Sequence, residues 1–212
     1  MIYEPVANDG PIRQGDIFES LPRVRIPLSA MAAIDDDNMT VRATWQDIVD
    51  RRDDVVTAAL PLDAVSAIVI TQDCDAMREV EISLCEIKPF EELEPDAVQS
   101  LKARVSAITK NARKNYKWFY LPPDAKMGFD RMMGVDFRCT MRLPREELER
   151  YRHLRRGRLN LVAYDHFRER LAHFFRRYAY DEWYPLNREE MEHYCKQSHE
   201  PVEWYPWQGR RE

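Results

Sequence analysis

Ala67-Ile68-Val69-Ile70-Thr71 runs directly into Gln72-Asp73-Cys74-Asp75, and the reading of these nine residues decides the fold. A short apolar, β-branched run without alternation predicts a strand buried on both faces. It stops abruptly in a polar turn. The next segment, Val80-Glu81-Ile82-Ser83-Leu84-Cys85-Glu86-Ile87, alternates, which predicts a second strand with Val80, Ile82, Leu84 and Ile87 on a core face and Glu81, Ser83 and Glu86 outside. The two strands are expected to pair as a hairpin around the polar cluster.

Upstream of that hairpin, residues 1–13 read as an extended lead-in, and Arg13-Gln14-Gly15-Asp16-Ile17-Phe18 places a Gly-Asp turn before a short strand. Val24-Arg25-Ile26 predicts a second short strand. Residues 34–37 form an acidic break, and 41–49 fit a strand or a helix equally well, because Trp45, Ile48 and Val49 also fall on one helical face. Downstream, Pro95 and Asp96 open a predicted helix over 95–113, with Val98, Leu101, Val105 and Ile108 at helical spacing and basic residues toward its C-terminal end. Strands are expected over 116–121, stopped by Pro122-Pro123, and over 135–141, and a short helix opens at Pro144. The strongest helical pattern spans 164–178, where Tyr164, Phe167, Leu171, Phe174, Phe175 and Tyr178 form one stripe. From Asp181 the chain is rich in Trp, Tyr and Pro, which predicts a tail that drapes over another surface. The segments 1–95, 96–143 and 144–212 are read as barrel core, helix with the remaining strands, and helical-aromatic extension of one domain.

At 212 residues the chain can bury a sizeable core, and 44% hydrophobic with 33% charged residues describes a globular protein with a heavily solvated exterior. No stretch approaches the roughly 18 apolar residues of a membrane span, and the N-terminus has neither a basic start nor an apolar run, so secretion and membrane anchoring are not expected. Cys74, Cys85, Cys139 and Cys195 are scattered without metal-binding spacing, which fits a reducing, cytoplasmic setting. The net charge of -5 conceals an asymmetry: residues 1–106 carry -11, residues 107–180 carry +10 and residues 181–212 carry -4. Such a basic block serves either a polyanion or the acidic half of its own chain.

Two clusters offer chemistry. The first is Gln72, Asp73, Cys74 and Asp75 at a strand end, with Asp16 in the earlier Gly-Asp turn. Carboxylates beside Cys74 oppose thiolate formation, which weighs against a cysteine nucleophile, and the two aspartates can share a metal only if the chain turns. The structural alternative has an aspartate capping the turn while Cys74 packs inside. The second cluster interleaves Lys110, Arg113, Lys114 and Lys117 with Tyr116, Trp118 and Tyr120, which is what single-stranded nucleic acid requires of its binder: cations for phosphates and rings for bases. Alternation also allows these rings to form the core side of a strand. The five histidines do not cluster, and His166 and His173 share a helical face as packing or solvated residues. There is no GxGxxG, GxxxxGK[ST], HExxH or GxSxG, so no cofactor and no metal is expected.

The Arg13-Gln14-Gly15-Asp16-Ile17-Phe18 turn and strand, followed by Ala67-Ile68-Val69-Ile70-Thr71 and the alternating strand 80–87, resemble the MazF/PemK-like toxin superfamily over about a third of the chain. The resemblance implies an α+β fold built on an SH3-like small β-barrel with long insertions and packed C-terminal helices, usually dimeric, and cleavage of single-stranded RNA. That activity needs an Arg before the central strand and a Thr or Ser after the following one. Here Leu60-Pro61-Leu62-Asp63-Ala64-Val65-Ser66 has no Arg, and Lys88-Pro89-Phe90-Glu91-Glu92 has no Thr or Ser. The expectation is therefore a non-catalytic binding or regulatory module that contacts a protein partner in a prokaryotic toxin- or defence-type system. The alternative is a single-stranded RNA-binding protein or endoribonuclease using residues 110–120.

Overall fold

The buried strand sits near the middle of a seven-stranded antiparallel sheet. In the computed structural model the strands are β1 (Tyr3–Glu4), β2 (Asp16–Val24), β6 (Leu62–Val69), β7 (Glu81–Pro89), β8 (Trp118–Leu121), β9 (Met133–Pro144) and β10 (Arg155–Leu159), in the spatial order β1-β10-β2-β6-β7-β9-β8. A second, three-stranded sheet is made of β3 (Met31–Ile34), β4 (Thr40–Ala43) and β5 (Ala58–Ala59), in the order β4-β3-β5. The helices are α1 (Trp45–Arg51), α2 (Asp73–Ala76), α3 (Phe90–Leu93), α4 (Leu101–Thr109), α5 (Arg145–Arg150) and α6 (Leu161–Arg176). The structure describes residues 2–7, 9–34, 38–51, 56–109, 115–176 and 196. The chain divides into two units, Met1–Phe174 and Phe175–Glu212, and the first holds both sheets. Segments 1–95, 96–143 and 144–159 all supply strands to the large sheet, because β10 inserts between β1 and β2 and β9 pairs with β7.

The expected hairpin is present: Ala67 pairs with Glu86, Ile68 with Cys85 and Val69 with Leu84. The expected burial on both faces also holds. Ile68 lies in one core with Ile17, Cys85, Ile87, Phe137 and the α6 residues Phe167 and Leu171, while Ala67 and Val69 lie in another with Phe18, Ile82, Leu84 and the α5 residue Leu148. A run without polar residues is what a strand sandwiched between two cores requires. Burying Phe167 alone contributes roughly 1.5–3 kcal/mol, and its ring packs against Phe119 and Phe137 at centroid distances of 5.4 and 5.7 Å. Helix α6 starts at Leu161, where the Asn160 side chain accepts from the Ala163 N–H at 3.0 Å and so satisfies a first-turn donor.

Several sequence expectations are corrected. Residues 40–51 hold both a strand and a helix, β4 and then α1, with Thr44 between them. Val24 ends β2 instead of starting a strand of its own, and Ile26 is exposed. Val80 precedes β7 and is exposed, whereas Glu86 is buried. The helix expected over 95–113 is a 3-10 turn at Pro95–Val98 followed by α4, and Leu101 and Val105 of α4 face solvent while Ala107 is buried. The aromatic strand starts at Trp118, with Tyr116 and Lys117 in the turn before it. The large sheet is open, since β1 and β8 stand at its two ends in place of a closed barrel. A side chain spans those ends: the Tyr3 hydroxyl of β1 donates to the Pro122 carbonyl just after β8 at 2.8 Å. Burial holds that phenol well above its ordinary pKa, which keeps the donor protonated.

Candidate functional site

The Gly-Asp turn works as a clasp. Gly15 adopts φ 87°, a left-handed conformation that side chains resist, and its N–H donates to Val69 O at 2.9 Å, which binds the turn to the end of β6. Asp16 is fully buried and accepts from Arg155 Nη1 at 3.0 Å, Arg158 Nε at 2.6 Å and the Arg13 N–H at 2.9 Å. Arg155 also donates to the carbonyls of Ala7, Gly10 and Pro11 at 2.6, 3.0 and 2.9 Å, tying the lead-in segment to β10. The carboxylate of Asp16 is therefore enclosed by cations that belong to the scaffold.

The 72–75 cluster forms the short helix α2 with Gln72 at its cap position. Asp73 accepts from the Gln14 N–H at 2.8 Å, and the buried Gln14 side chain donates to Ile70 O at 2.7 Å, so Asp73 fastens the two motifs to each other. Cys74 is exposed, not packed inside, with its Sγ 3.5 Å from Asp75 Oδ1. Gln72 and Asp75 face an open groove of about 720 Å³ between α2 and the β6–β7 hairpin, with Thr71, Glu79, Glu81 and Arg142 also in its walls. The groove is acidic: Arg142 reaches Glu81 at 3.6 Å, which leaves the charges of Asp75 and Glu79 in excess. Among the described residues no group of His, Cys, Asp and Glu is arranged to hold a metal ion.

The structure describes only part of the basic-aromatic segment. Lys110, Arg113 and Lys114 lie outside the described residues, as do the aromatic tail from Asp181 and the stripe residue Tyr178. Trp118 is almost fully buried, its indole N–H donates to Glu94 Oε1 at 2.6 Å, and its ring meets Phe90 edge-on at 5.0 Å. Tyr116 stacks on His173 at 5.0 Å, and Arg170 lies over both the Tyr116 and Trp118 rings while donating to the Trp118 carbonyl at 2.6 Å. Trp118 thus belongs to the core and is closed to a stacking base, while Lys117 is exposed.

A third cluster went unseen in the sequence. Between the pairs Cys85–Thr140 and Ile87–Val135, β7 has one residue and β9 has four, a bulge that gathers Glu86, Lys88, Asp136, Arg138 and Cys139. Glu86 and Lys88 continue the face of Ile82 and Leu84. Arg23 of β2 donates to both oxygens of Glu86 at 2.8 and 2.7 Å and to Asp63 at 2.7 Å, and Arg25 reaches Asp63 at 3.0 Å. Arg138 holds Asp136 through Nε at 2.8 Å and Nη2 at 3.1 Å. Lys88 Nζ stands 3.2 Å from Asp136 Oδ2, 3.8 Å from Glu86 Oε2 and 3.0 Å from Cys139 Sγ. Burial raises the Asp136 carboxyl, but the bonds from Arg138 and Lys88 outweigh it and hold the group below its ordinary pKa. Burial likewise lowers the Lys88 ammonium, and the bonds to Cys139 and Asp136 reverse that and hold it above its ordinary value. The period of two in Glu86/Lys88 and Asp136/Arg138 was a legible sign of paired charges on one face. The bulge that adds Cys139 was not.

No protein-family model matches the chain, and no curated protein matches its sequence.

Proposed function

We propose that the chain is a non-catalytic binding module that takes a cationic segment of a protein partner into the acidic groove beside α2. One observation carries the reading: the carboxylates of the region divide into two sets, with Asp16 and Asp73 consumed by scaffold bonds and Asp75, Glu79 and Glu81 left lining an open groove. Excess negative charge in a cleft attracts cations and repels the phosphates of nucleic acid. Exposed Met77 and Val80 beside the carboxylates offer apolar contact to the same segment. In this reading the sheet is an SH3-like small barrel left open between β1 and β8, and the resemblance to the MazF/PemK-like superfamily reflects a scaffold kept without its nuclease pair, in a toxin- or defence-type system.

The test is a fluorescence-polarisation titration of the full chain against a labelled Lys/Arg-rich peptide and, in parallel, a labelled single-stranded RNA. Saturable, salt-sensitive peptide binding is expected, and the E79K/E81K double variant should weaken it about tenfold or more, the equivalent of about 1.4 kcal/mol. RNA binding that Lys117→Ala removes would favour the nucleic-acid reading instead, and any cleavage of that RNA would overturn the non-catalytic one.

A further inference from the structure

The open sheet ends at β8, and the outer edge of that strand is met by side chains instead of a further strand. The Lys117 carbonyl accepts from the Phe137 N–H at 2.9 Å, and Phe119 and Leu121 stand opposite Val135 and Met133 in the same alternation. Antiparallel pairing therefore turns the backbone groups of Trp118, Tyr120 and Pro122 outward, where a neighbouring strand would bind. Arg170 of α6 takes the first of these carbonyls. Its Nε and Nη2 donate to Trp118 O at 3.2 and 2.6 Å, and Nη2 also donates to Asn115 O at 2.7 Å. The Tyr3 hydroxyl takes the carbonyl of Pro122 at 2.8 Å, and proline has no N–H to offer. That leaves the Tyr120 carbonyl between two capped ones. The guanidinium is aimed by the rings it crosses, with Cζ 5.8 Å from the Tyr116 centroid and 5.3 Å from the Trp118 centroid. A planar fork can stack and serve two carbonyls at once, whereas an ammonium cannot. At the other end of the sheet β1 is only two residues long, and the Ile2 carbonyl beside it accepts from the Asn160 N–H at 2.8 Å.

We propose that Arg170 seals the β8 edge, and that without it this edge pairs with the β8 edge of a second copy of the chain. An unpaired strand edge is a template for another strand. The outward set Trp118, Tyr120 and Pro122 is centred on Tyr120, so an antiparallel pairing about a two-fold axis brings the Tyr120 N–H and C=O against their own counterparts and the Trp118 N–H against a Pro122 carbonyl. Arg170 forbids this arrangement by position: its donors stand 2.6 and 3.2 Å from Trp118 O, on the side where the second copy's backbone would lie. A helix side chain thus does for the edge what a covering strand does elsewhere, and the sheet stays open without extending from copy to copy.

Sedimentation velocity of the full chain over a range of concentrations compares the unmodified protein with Arg170→Met. Disulfide mapping by mass spectrometry after mild oxidation of Tyr120→Cys, with and without Arg170→Met, locates the contact. Arg170→Met is expected to raise the limiting mass about twofold over that of the unmodified chain, and the double variant to cross-link through residue 120 several-fold more than Tyr120→Cys alone. Arg170→Lys should give an intermediate mass, and it carries the test if circular dichroism shows the methionine variant unfolded. Leu171→Ala loosens the same helix from the core but leaves Arg170 in place, so it should keep the unmodified mass. Folded Arg170 variants that keep the unmodified mass would overturn the proposal. So would association that Leu171→Ala shares, or that forms without a cross-link through residue 120.

Discussion

Replacing Arg155 by methionine tests whether the Gly-Asp turn is a clasp. The Arg155 side chain is wholly buried, and its removal takes one cation from Asp16 and the side-chain donor from the carbonyls of Ala7, Gly10 and Pro11. Breaking a buried pair on one side costs about 3–5 kcal/mol, since the remaining charge stays desolvated. Two features pull the figure toward the low end. Asp16 keeps Arg158 Nε at 2.6 Å and the Arg13 N–H at 2.9 Å, and methionine also removes the buried Arg155 Nε, which has no partner to lose. A loss of about 3 kcal/mol, with a urea slope of about 2 kcal/mol per molar, lowers the unfolding midpoint by about 1.5 M. Equilibrium urea unfolding followed by circular dichroism measures it, and Asp16→Asn with the double variant completes a cycle whose coupling should lie in the range of about 0.5–3 kcal/mol. A midpoint shift below about 0.5 M, or additive single variants, would refute the clasp and return Asp16 to the list of residues free for chemistry.

Three further outcomes follow from the packing and the charges. Trp118→Ala should cost about 3–5 kcal/mol in the same urea assay, the price of emptying a core site, whereas an exposed stacking residue would cost almost nothing. Gly157→Ala should destabilise by about 1–3 kcal/mol, because an added Cβ would lie 2.8 Å from the Glu4 carbonyl oxygen and 2.6 Å from Met127 Cε, and the backbone of β1 cannot yield without leaving β10. The third concerns pH. Asp136 is held below its ordinary pKa, so its contribution is complete above the unfolded value of about 4 and is lost as pH falls through the lower folded value. Stability measured below about pH 4 should therefore fall more steeply in the unmodified chain than in Asp136→Asn.

How much of this was legible in the chain differs between the fold and the site. The β6–β7 hairpin was legible because burial on both faces leaves a one-dimensional mark, an unbroken apolar run followed by an alternating one. The α6 stripe was legible for the same reason: Phe167, Leu171 and Phe174 recur at the period of a helix. Glu86 was misread because alternation records which face a residue occupies, not whether that face is wet, and Arg23 comes from a strand 63 residues earlier to bury it. The basic-aromatic segment stayed open between two readings because ring and cation spacing looks the same whether the rings face bases or Phe90, and only the fold places Trp118 in the core.

By itself, the sequence determined the elements whose causes are local: the two central strands, the helix that packs against them and the Gly-Asp turn. Tertiary structure alone decided the fate of the charges. Asp16 and Asp73 became fasteners, Asp75 and Glu79 became groove walls, and Lys88 came to lie against Asp136 and Cys139, because each outcome depends on partners brought together across the sheet. The physical reason is one of range. Backbone propensity and hydrophobic period act over a few residues, whereas a charge takes its role from whatever neutralises it, and in a sheet of order β1-β10-β2-β6-β7-β9-β8 that neighbour is seldom close in the chain.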